Sequence, residues 1–321
     1  MENPFRYGGV VSGPFFADRR SELKELKREM ANLNHVFLVS PRRFGKTCLL
    51  LNLVETLKHD AMACTYIDLN AFPDIRSFAG SLAGLTTGAL ETNTDKLLKI
   101  FSGFQKLRPK VSVEPDGSIS AGLELAVGEK DSLPALLEGM DHAERLAIKK
   151  NKLGRIMELG PIKRNTYIDF ILGWLNKGGF TIKDKDLQRV FEIGKDVPYN
   201  IQRLCNVMWN HAGGKKVIQP ALIDELPVVI ARQDSPHYEM LWRSASQLQK
   251  MLLIALSKDQ TAKPFSKDFQ LKHGLGPSSS IKASLDSLLK KGILTKTLQG
   301  SYYFTDTFMP YWIDSIMKAV G

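Results

Sequence analysis

The sequence has few cysteines and no long apolar segment, and each absence argues against a class of protein. The three cysteines, Cys48, Cys64 and Cys205, lie far apart and form no C-x-x-C pair. This spacing argues against a disulfide framework and predicts buried, reduced thiols. No apolar run approaches the length of a membrane span, and the opening residues MENPFRYGG lack an apolar signal core. We therefore expect a cytoplasmic protein without membrane contact.

Acidic residues are also fewer than basic ones. The chain carries 34 Asp and Glu against 44 Lys and Arg, so its formal net charge is +10. A basic surface suits a polyanionic partner, although charge balance alone is a weak indication of one. A length of 321 residues is enough for more than one core, and we expect two or three domains.

One segment carries a motif with defined chemistry. Residues 35–51 read HVFLVSPRRFGKTCLLL, which is typical of a short buried strand, a loop and then a helix. The backbone N–H groups at such a helix start attract anions, and Gly45 lets the main chain close around a phosphate. Lys46 would then neutralise the β- and γ-phosphates, and the Thr47 hydroxyl would bind Mg²⁺. Ser40 occupies the place where the usual pattern has its first glycine.

The acidic strand that normally accompanies this loop is missing. P-loop ATPases need a carboxylate at the end of another buried strand to hold Mg²⁺, usually beside a glutamate that polarises water. The pair Asp224-Glu225 lies in a helical pattern that begins near Pro220. Asp68 ends a possible strand, and Glu158 lies on an apolar segment. For all of these carboxylates an ordinary surface position is the favoured interpretation.

Further along the chain the pattern predicts a mixed α/β protein of three domains. Ser21 is expected to cap the first helix, and residues 75–107 and 133–150 are helical in pattern. Alternating residues around Asp116-Gly117 predict a hairpin, inserted near 108–128, and residues 154–162 a strand that returns to the sheet. We expect a nucleotide-binding core at 1–163, a helical lid at 164–235 and a winged helix at 236–321.

The C-terminal part has the element order of a winged helix. Three helices are followed by a hairpin across Gln299-Gly300, and the region from Tyr238 onward holds eleven Lys and Arg against six Asp and Glu. The third helix, from Ser278, would present small polar residues outward, a face that suits a DNA major groove but lacks Arg and Asn for reading bases. Packing or protein contact is the other open interpretation. The side chains expected outward or near DNA are Ser279, Ser280, Lys282, Ala283, Ser287, Lys290, Lys291 and Lys296.

Together these motifs resemble an archaeal-type AAA+/STAND ATPase over almost the whole chain. The matching segments are FFxxRxxEL from Phe15, SPRRFGKTCLL from Ser40, the lid segment with Gly194 and Pro198, and the winged helix. The resemblance implies a parallel P-loop sheet, a helical lid and bound ATP or ADP with Mg²⁺. It also implies that Phe16 and Arg19 line the adenine, that Pro198 touches the base, and that Arg42 and Arg43 flank the phosphates. The full set expected at the nucleotide is Phe16, Arg19, Ser40, Pro41, Arg42, Arg43, Phe44, Gly45, Lys46, Thr47, Cys48 and Pro198.

The same resemblance shows what is missing. Family members carry an acidic strand and a sensor strand between the segments that match 133–150 and 154–162, where this chain has only three residues, 151–153. Either two core strands have been lost or the sequence omits a stretch here. With Lys46 and Thr47 present but no identified base, the chain should bind nucleotide and hydrolyse it slowly or not at all. Two functions stay open: a nucleotide-dependent switch, or a DNA-binding regulator with a degenerate P-loop scaffold.

Overall fold

The structure is a computed structural model that describes residues 1–60, 62, 64–72, 77–78, 107–113, 119–125, 155–212, 216–259, 263–297 and 300–320. It divides into two compact units, one of residues 12–160 and one that joins residues 1–11 to residues 161–321. In the first unit the elements are α1 (Arg20–Ala31), β1 (Val36–Val39), α2 (Lys46–His59), β2 (Leu107–Val113), β3 (Ile119–Leu125) and β4 (Arg155–Glu158), with short 3₁₀ helices at Gly13–Phe15 and Leu69–Ala71.

The core of the first unit lies between two helices and a pair of parallel strands. β1 pairs with β4 in a register that sets Val36 beside Arg155 and Val39 beside Glu158, which confirms the predicted returning strand. Apolar residues of α1 and α2 pack against one face of this pair. The cluster consists of Leu26, Leu49, Leu53, Leu57, Met157 and Leu159, with Phe16 at its edge.

Two local predictions for this unit were wrong. β1 was expected to be fully buried, but Phe37 is 60% exposed and its neighbour on β4, Ile156, is 68% exposed. Alternate side chains of a strand point to opposite faces, and α1 and α2 cover only one of them. Ser21 was expected to cap α1, but the helix begins at Arg20, and the Ser21 hydroxyl donates to Glu22 Oε2 at 2.6 Å.

The predicted hairpin is present. β2 and β3 pair antiparallel with Val113 opposite Ile119. The expected turn at Asp116-Gly117 lies outside the described residues, as do the predicted helix at 133–150 and most of the one at 75–107.

The segment that was expected to form a lid, residues 164–235, is helical and lies in the second unit. Its helices are α3 (Arg164–Lys177), α4 (Asp184–Gly194), α5 (Pro198–His211) and α6 (Pro220–Gln233). Pro198 and Pro220 both occupy the first turn of a helix, as expected from a fixed φ and a missing donor. Gly194 allows α4 and α5 to approach closely, because a Cβ there would lie 2.4 Å from Ile201 Cδ1.

The first eleven residues belong to the compact unit of the lid, whereas the sequence placed them with the core. Phe5 is fully buried, and its ring lies 6.0 Å from that of Trp209 on α5. Asn206 donates to the Phe5 carbonyl at 2.6 Å, and Asn3 donates to the Asn206 carbonyl at 2.9 Å. A short segment of this kind has no periodicity that would indicate its partner.

A winged helix follows in the same unit, as predicted. Its elements are α7 (Ser235–Arg243), α8 (Gln247–Lys258), α9 (Lys267–Lys272), α10 (Ser278–Lys290), β5 (Leu294–Lys296), β6 (Tyr302–Phe304) and α11 (Met309–Val320). β5 and β6 pair antiparallel as the wing. The inward face of α10 consists of Ile281, Leu285 and Leu288, which are all buried in one apolar cluster with α8 and α11.

Candidate nucleotide-binding site

The loop between β1 and α2 has the backbone of an anion site. Arg43 has φ of 70° and Gly45 has φ of 87°, so two residues of the loop are left-handed just before the first turn of α2. Such turns point successive N–H groups toward one centre, and the helix dipole adds positive potential there. Gly45 meets this geometry without strain because it has no Cβ.

Lys46 spans the loop. Its ammonium donates to the Ser40 carbonyl at 2.6 Å, to Ser40 Oγ at 3.1 Å and to the Pro41 carbonyl at 3.3 Å. The serine that replaces the usual first glycine thus supplies a side-chain acceptor to the lysine. Ser40 Oγ also donates to the Pro41 carbonyl at 2.9 Å, which ties the entry of the loop to itself.

The loop is accessible to solvent. Arg42, Arg43 and Thr47 are exposed, while Phe44 and Cys48 are half-buried. Guanidinium groups and a hydroxyl beside a cluster of N–H donors are suited to a polyphosphate and its Mg²⁺. Among the residues that the structure describes, no three His, Cys, Asp or Glu side chains group as a separate metal site.

The wing and α10 form a second exposed surface. Ser279, Ser280, Lys282, Ala283 and Lys296 are exposed, as expected. One expectation was wrong: Ser287 is half-buried, and Asp286 takes the outward position instead. Lys291 is exposed, and it donates to the Ser244 carbonyl at 2.5 Å and to Gln249 Oε1 at 3.3 Å, which ties its ammonium to the body of the domain; its contact with DNA stays a prediction.

Comparisons with known proteins bear on the fold and on its C-terminal part. Residues 236–315 match a family model described as "Probable winged helix domain". The whole fold is similar to the Walker-type ATPase of Pyrococcus abyssi, with a TM-score of 0.52 at 10% identity over 97% of this chain and 99% of that one. The chain has the fold of a P-loop ATPase that ends in a winged helix.

Two further solved structures are less similar. The Holliday junction branch migration motor RuvB of Thermotoga maritima gives a TM-score of 0.43 at 14% identity, over 92% of this chain and 94% of that one. The Orc1 protein of Aeropyrum pernix, solved in complex with DNA, gives 0.45 at 12% identity, over 95% and 94%. A comparison with curated proteins gave no match.

The carboxylates considered for Mg²⁺ binding lie in different structural environments. Asp68 was expected to end a strand, but the described residues 64–68 form none, and its carboxylate instead accepts from the Asn70 N–H at 3.0 Å in a short turn. Asp224 and Glu225 lie on helix α6, as expected. Glu158 is exposed at the carboxyl end of β4, directly beside the end of β1 from which the loop leaves. Of these carboxylates, Glu158 is the one that the pairing of β4 with β1 places at the edge of the sheet where the loop begins.

The three residues expected at the base differ in their exposure to solvent. Phe16 is half-buried against the core cluster of the first unit. Arg19 is only 4% exposed, and it donates to the Phe44 carbonyl at 3.3 Å and to the Gly160 carbonyl at 2.7 Å. Pro198 is buried at the start of α5, where its carbonyl accepts from the Tyr167 hydroxyl at 3.0 Å. Contact of these three residues with a base stays a prediction.

Sequence reasoning missed a buried polar junction between the lid and the winged helix. Arg203 on α5 makes two hydrogen bonds to Asp234 at the end of the lid, at 2.5 and 2.7 Å, and the Tyr238 hydroxyl of the winged helix donates to the same carboxylate at 3.4 Å. Burial opposes its charge, but the hydrogen bonds and the charge of Asp234 outweigh burial and raise the pKa of Arg203. The Tyr238 hydroxyl donates to Asp306 at 2.9 Å, and Asn200 donates to Thr307 Oγ1, also at 2.9 Å. The only sequence signal was an arginine on the apolar side of a helix.

Membrane insertion was also tested against the fold. In the part of the chain that the structure describes, no helix is both long and apolar enough to cross a bilayer.

Proposed function

We propose that this chain binds ATP or ADP with Mg²⁺ at the loop of residues 40–48 and acts as a nucleotide-dependent switch of the AAA+/STAND type. The observation that carries this proposal is the loop itself, with its left-handed Arg43 and Gly45, the spanning Lys46 and the start of α2, in a fold of the P-loop ATPase class. Calorimetric titration of wild type and Lys46→Ala, combined with solution scattering, tests it.

The loop residues would bind different parts of the Mg-nucleotide, according to their chemistry. The α2 N-terminus and the converging N–H groups would hold the phosphates, and Lys46 would exchange its bonds to Ser40 and Pro41 for bonds to phosphate oxygens. Thr47 would supply a hydroxyl to Mg²⁺. Exposed Arg42 and Arg43 would pair with the outer phosphates through charge-assisted hydrogen bonds. Phe16 is proposed to lie beside the base.

The effector side of the switch would be the lid and the winged helix together. They belong to one compact unit, and they are joined by Asp234, which accepts from both Arg203 and Tyr238, and by the hydrogen bond of Asn200 to Thr307. A buried ion pair is costly to break, because an unpaired charge would remain. We therefore propose that the winged helix moves with the lid and is not released from it. A bound nucleotide would act by favouring one arrangement of the chain over another.

Slow hydrolysis is the expected enzymatic property. We expect turnover well below the common enzyme range of about 1 to 10³ per second, because no described Asp-Glu pair ends a buried strand. Any residual Mg-ATPase activity should depend on Glu158 and not on Asp68, since only Glu158 lies at the sheet edge beside the loop. Phosphate release by wild type, Glu158→Gln and Asp68→Asn measures this. A steady turnover of several per second that survives Glu158→Gln would contradict both statements.

A second candidate function is DNA binding through the winged helix. The observation that favours it is the exposed, small and polar face of α10, with Ser279, Ser280 and Lys282 at its first turns and Lys296 on the wing. Serine hydroxyls can bond to either kind of base pair, so sequence preference should be modest. Asp286 lies on the same exposed face and would repel phosphates, which restricts contact to the start of the helix. Protein contact by this face is the competing use.

The salt dependence of duplex binding distinguishes these uses. If α10 enters a major groove, Lys282, Lys290 and Lys296 should approach phosphates, and affinity should fall steeply as salt rises. Each Lys→Ala change should then reduce the slope of log K against log[salt] by about 0.9. Fluorescence anisotropy of the full chain with a labelled duplex measures it. Lys318→Ala is the matched control, because it removes the same charge from α11, where Lys318 pairs with Asp314.

Two results would count against DNA as the partner. One is the absence of binding at low salt. The other is equal binding by wild type and the double variant Lys282→Ala/Lys296→Ala, which would leave this face as a protein-contact surface.

We also propose a cytoplasmic location. None of the three cysteines forms a disulfide, and burial raises the pKa of Cys205, which makes its thiol inert. Free thiols suit a reducing compartment.

A further inference from the structure

Arg19 lies at a junction of three chain segments near the phosphate-binding loop. It immediately precedes α1, and its side chain is only 5% exposed. One terminal nitrogen donates to Glu22 Oε1 at 2.8 Å. The other donates to two backbone carbonyls, Phe44 in the loop at 3.3 Å and Gly160 after β4 at 2.7 Å. One guanidinium therefore links the first helix, the loop and the chain leaving the neighbouring strand.

The Phe44 carbonyl needs a hydrogen-bond donor when the loop is in its phosphate-binding conformation. When the N–H groups of a loop converge on a phosphate, its carbonyl groups point away from that centre and need partners of their own. Phe44 lies between Arg43 and Gly45, the two left-handed residues that shape the loop. A buried cation on its carbonyl thus holds the part of the loop whose conformation presents the N–H groups.

The Gly160 carbonyl gives this tie a fixed anchor. β4 pairs with β1 along its whole length and continues through Leu159, whose N–H donates to the Val39 carbonyl at 2.8 Å. Gly160 follows directly. The second half of the loop is therefore tied to a residue held by the sheet, at the edge where parallel strands end and ligands commonly bind.

The local backbone indicates that the position of Arg19 is imposed by its contacts. Asp18 has φ of 48° and Arg19 has φ of 84°, both in the left-handed region, although neither is a glycine. Such residues are strained and persist only where the surroundings determine their conformation. Glu22 completes the arrangement, because its carboxylate accepts from both Arg19 and the Ser21 hydroxyl.

We propose that Arg19 is a positioning residue that holds the Phe44–Gly45 half of the loop in its phosphate-binding conformation by tying it to Gly160. This inference rests on the proposed nucleotide site and deepens it. It assigns Arg19 to the phosphates through the loop backbone instead of to the adenine through direct contact. The two roles make opposite predictions for a ligand that has phosphates and no base.

The experiment compares Mg-ATP with inorganic triphosphate plus Mg²⁺, by calorimetry on the full chain. Arg19→Met should weaken both ligands by the same factor of about ten, because one charge-assisted hydrogen bond that shapes the loop is lost. Arg20→Met is the matched control, since Arg20 is the adjacent arginine and is exposed. It should leave both affinities within about twofold of wild type. Weakening of ATP alone would identify a base contact and overturn the proposal, as would unchanged affinity for both.

Two further variants separate positioning from general stability. Arg19→Lys keeps the charge but loses the planar fork, in which one nitrogen reaches both carbonyls while the other is held by Glu22, so it should bind both ligands at an affinity between those of wild type and Arg19→Met. Arg19→Ala leaves space for a guanidinium ion, and guanidinium at non-denaturing concentration should restore triphosphate binding in part. Wild-type affinity in Arg19→Lys, or no rescue of a folded Arg19→Ala protein, would overturn the proposal.

Failure of the nucleotide site itself gives a different result. In that case wild type would bind neither ligand, or Lys46→Ala would bind both as well as wild type does. If Lys46→Ala loses both ligands while Arg19→Met keeps them, the site stands and only the role of Arg19 is overturned.

Discussion

Lys46→Ala should lose ATP binding by about 100-fold and ADP binding, which offers the lysine no γ-phosphate, by about tenfold. The lysine would contribute charge-assisted hydrogen bonds to two phosphates, each worth about 1.5–3 kcal/mol, and tenfold in affinity corresponds to about 1.4 kcal/mol. The ammonium already lies within 3.3 Å of three acceptors in the loop, so it is placed to reach a ligand held there. Isothermal titration calorimetry with Mg-ATP and Mg-ADP measures the change.

A control variant for the loss of one positive charge can be made on the same helix. Lys58 is exposed in the last turn of α2, so Lys58→Ala removes one positive charge without touching the loop. It should leave the affinity close to that of wild type. Equal affinity of wild type and Lys46→Ala would refute nucleotide binding at this loop.

The same pair of proteins tests the switch. Solution scattering of wild type should change when Mg-ATP is added, and the curve of Lys46→Ala should not. A scattering curve of wild type that does not respond to saturating nucleotide would leave a binding protein without a switch. In that case the DNA-binding regulator becomes the better description, and the anisotropy series on Lys282 and Lys296 decides its partner.

Arg203→Met should destabilise the second unit by about 3 kcal/mol. The Arg203 side chain is 6% exposed, and its removal would leave the carboxylate of Asp234 without its cation. Breaking one side of a buried pair typically costs about 3–5 kcal/mol, and the partial exposure of Asp234 places this case at the lower end. For a unit of this size the melting temperature should fall by roughly 6–12 °C.

Arg189→Met provides the matched control for the loss of Arg203. Arg189 also pairs with acidic residues, Glu192 and Asp224, but all three side chains are more than half exposed. Exposed pairs contribute about 0–1 kcal/mol, so this variant should melt close to wild type. Thermal unfolding followed by circular dichroism compares the two, and equal melting temperatures would show that the junction does not hold the lid to the winged helix.

A double variant tests the cause of the loss. Arg203→Met combined with Asp234→Asn removes both charges, so no uncompensated carboxylate remains. It should recover part of the stability lost by Arg203→Met alone. A double variant less stable than either single one would mean that the two side chains stabilise the fold through separate contacts.

The sequence predicts those features of the fold whose interacting residues lie close together along the chain. The loop could be read directly, because Gly45, Lys46 and Thr47 are consecutive and the flanking strand and helix have their own periods. The same holds for Pro198 and Pro220 at helix starts and for the inward face of α10, where Ile281, Leu285 and Leu288 recur at helical spacing. These features depend on contacts within a few residues along the chain.

Other predictions depended on neighbours that a periodic pattern does not identify. The exposed side of β1 is an example, because Phe37 is as apolar as a buried residue and its exposure depends on what lies across the sheet. Asp68 is another, since its segment has the composition of a strand, yet its carboxylate bonds to the N–H of Asn70 in a turn. Composition alone could not distinguish these outcomes.

By itself the sequence determined the class of the fold, the strand, loop and helix around Gly45, the helical pattern of residues 164–235 and the winged helix, because each is specified by local spacing and turn chemistry. Only the tertiary structure decided that residues 1–11 pack on α5, that Asp234 links Arg203 to Tyr238 of the winged helix, and that Arg19 ties the loop to a residue 141 positions away. The acceptors of Arg19 are backbone carbonyls, which every residue carries and no sequence pattern marks. Folding selects two of them by bringing β4 beside β1.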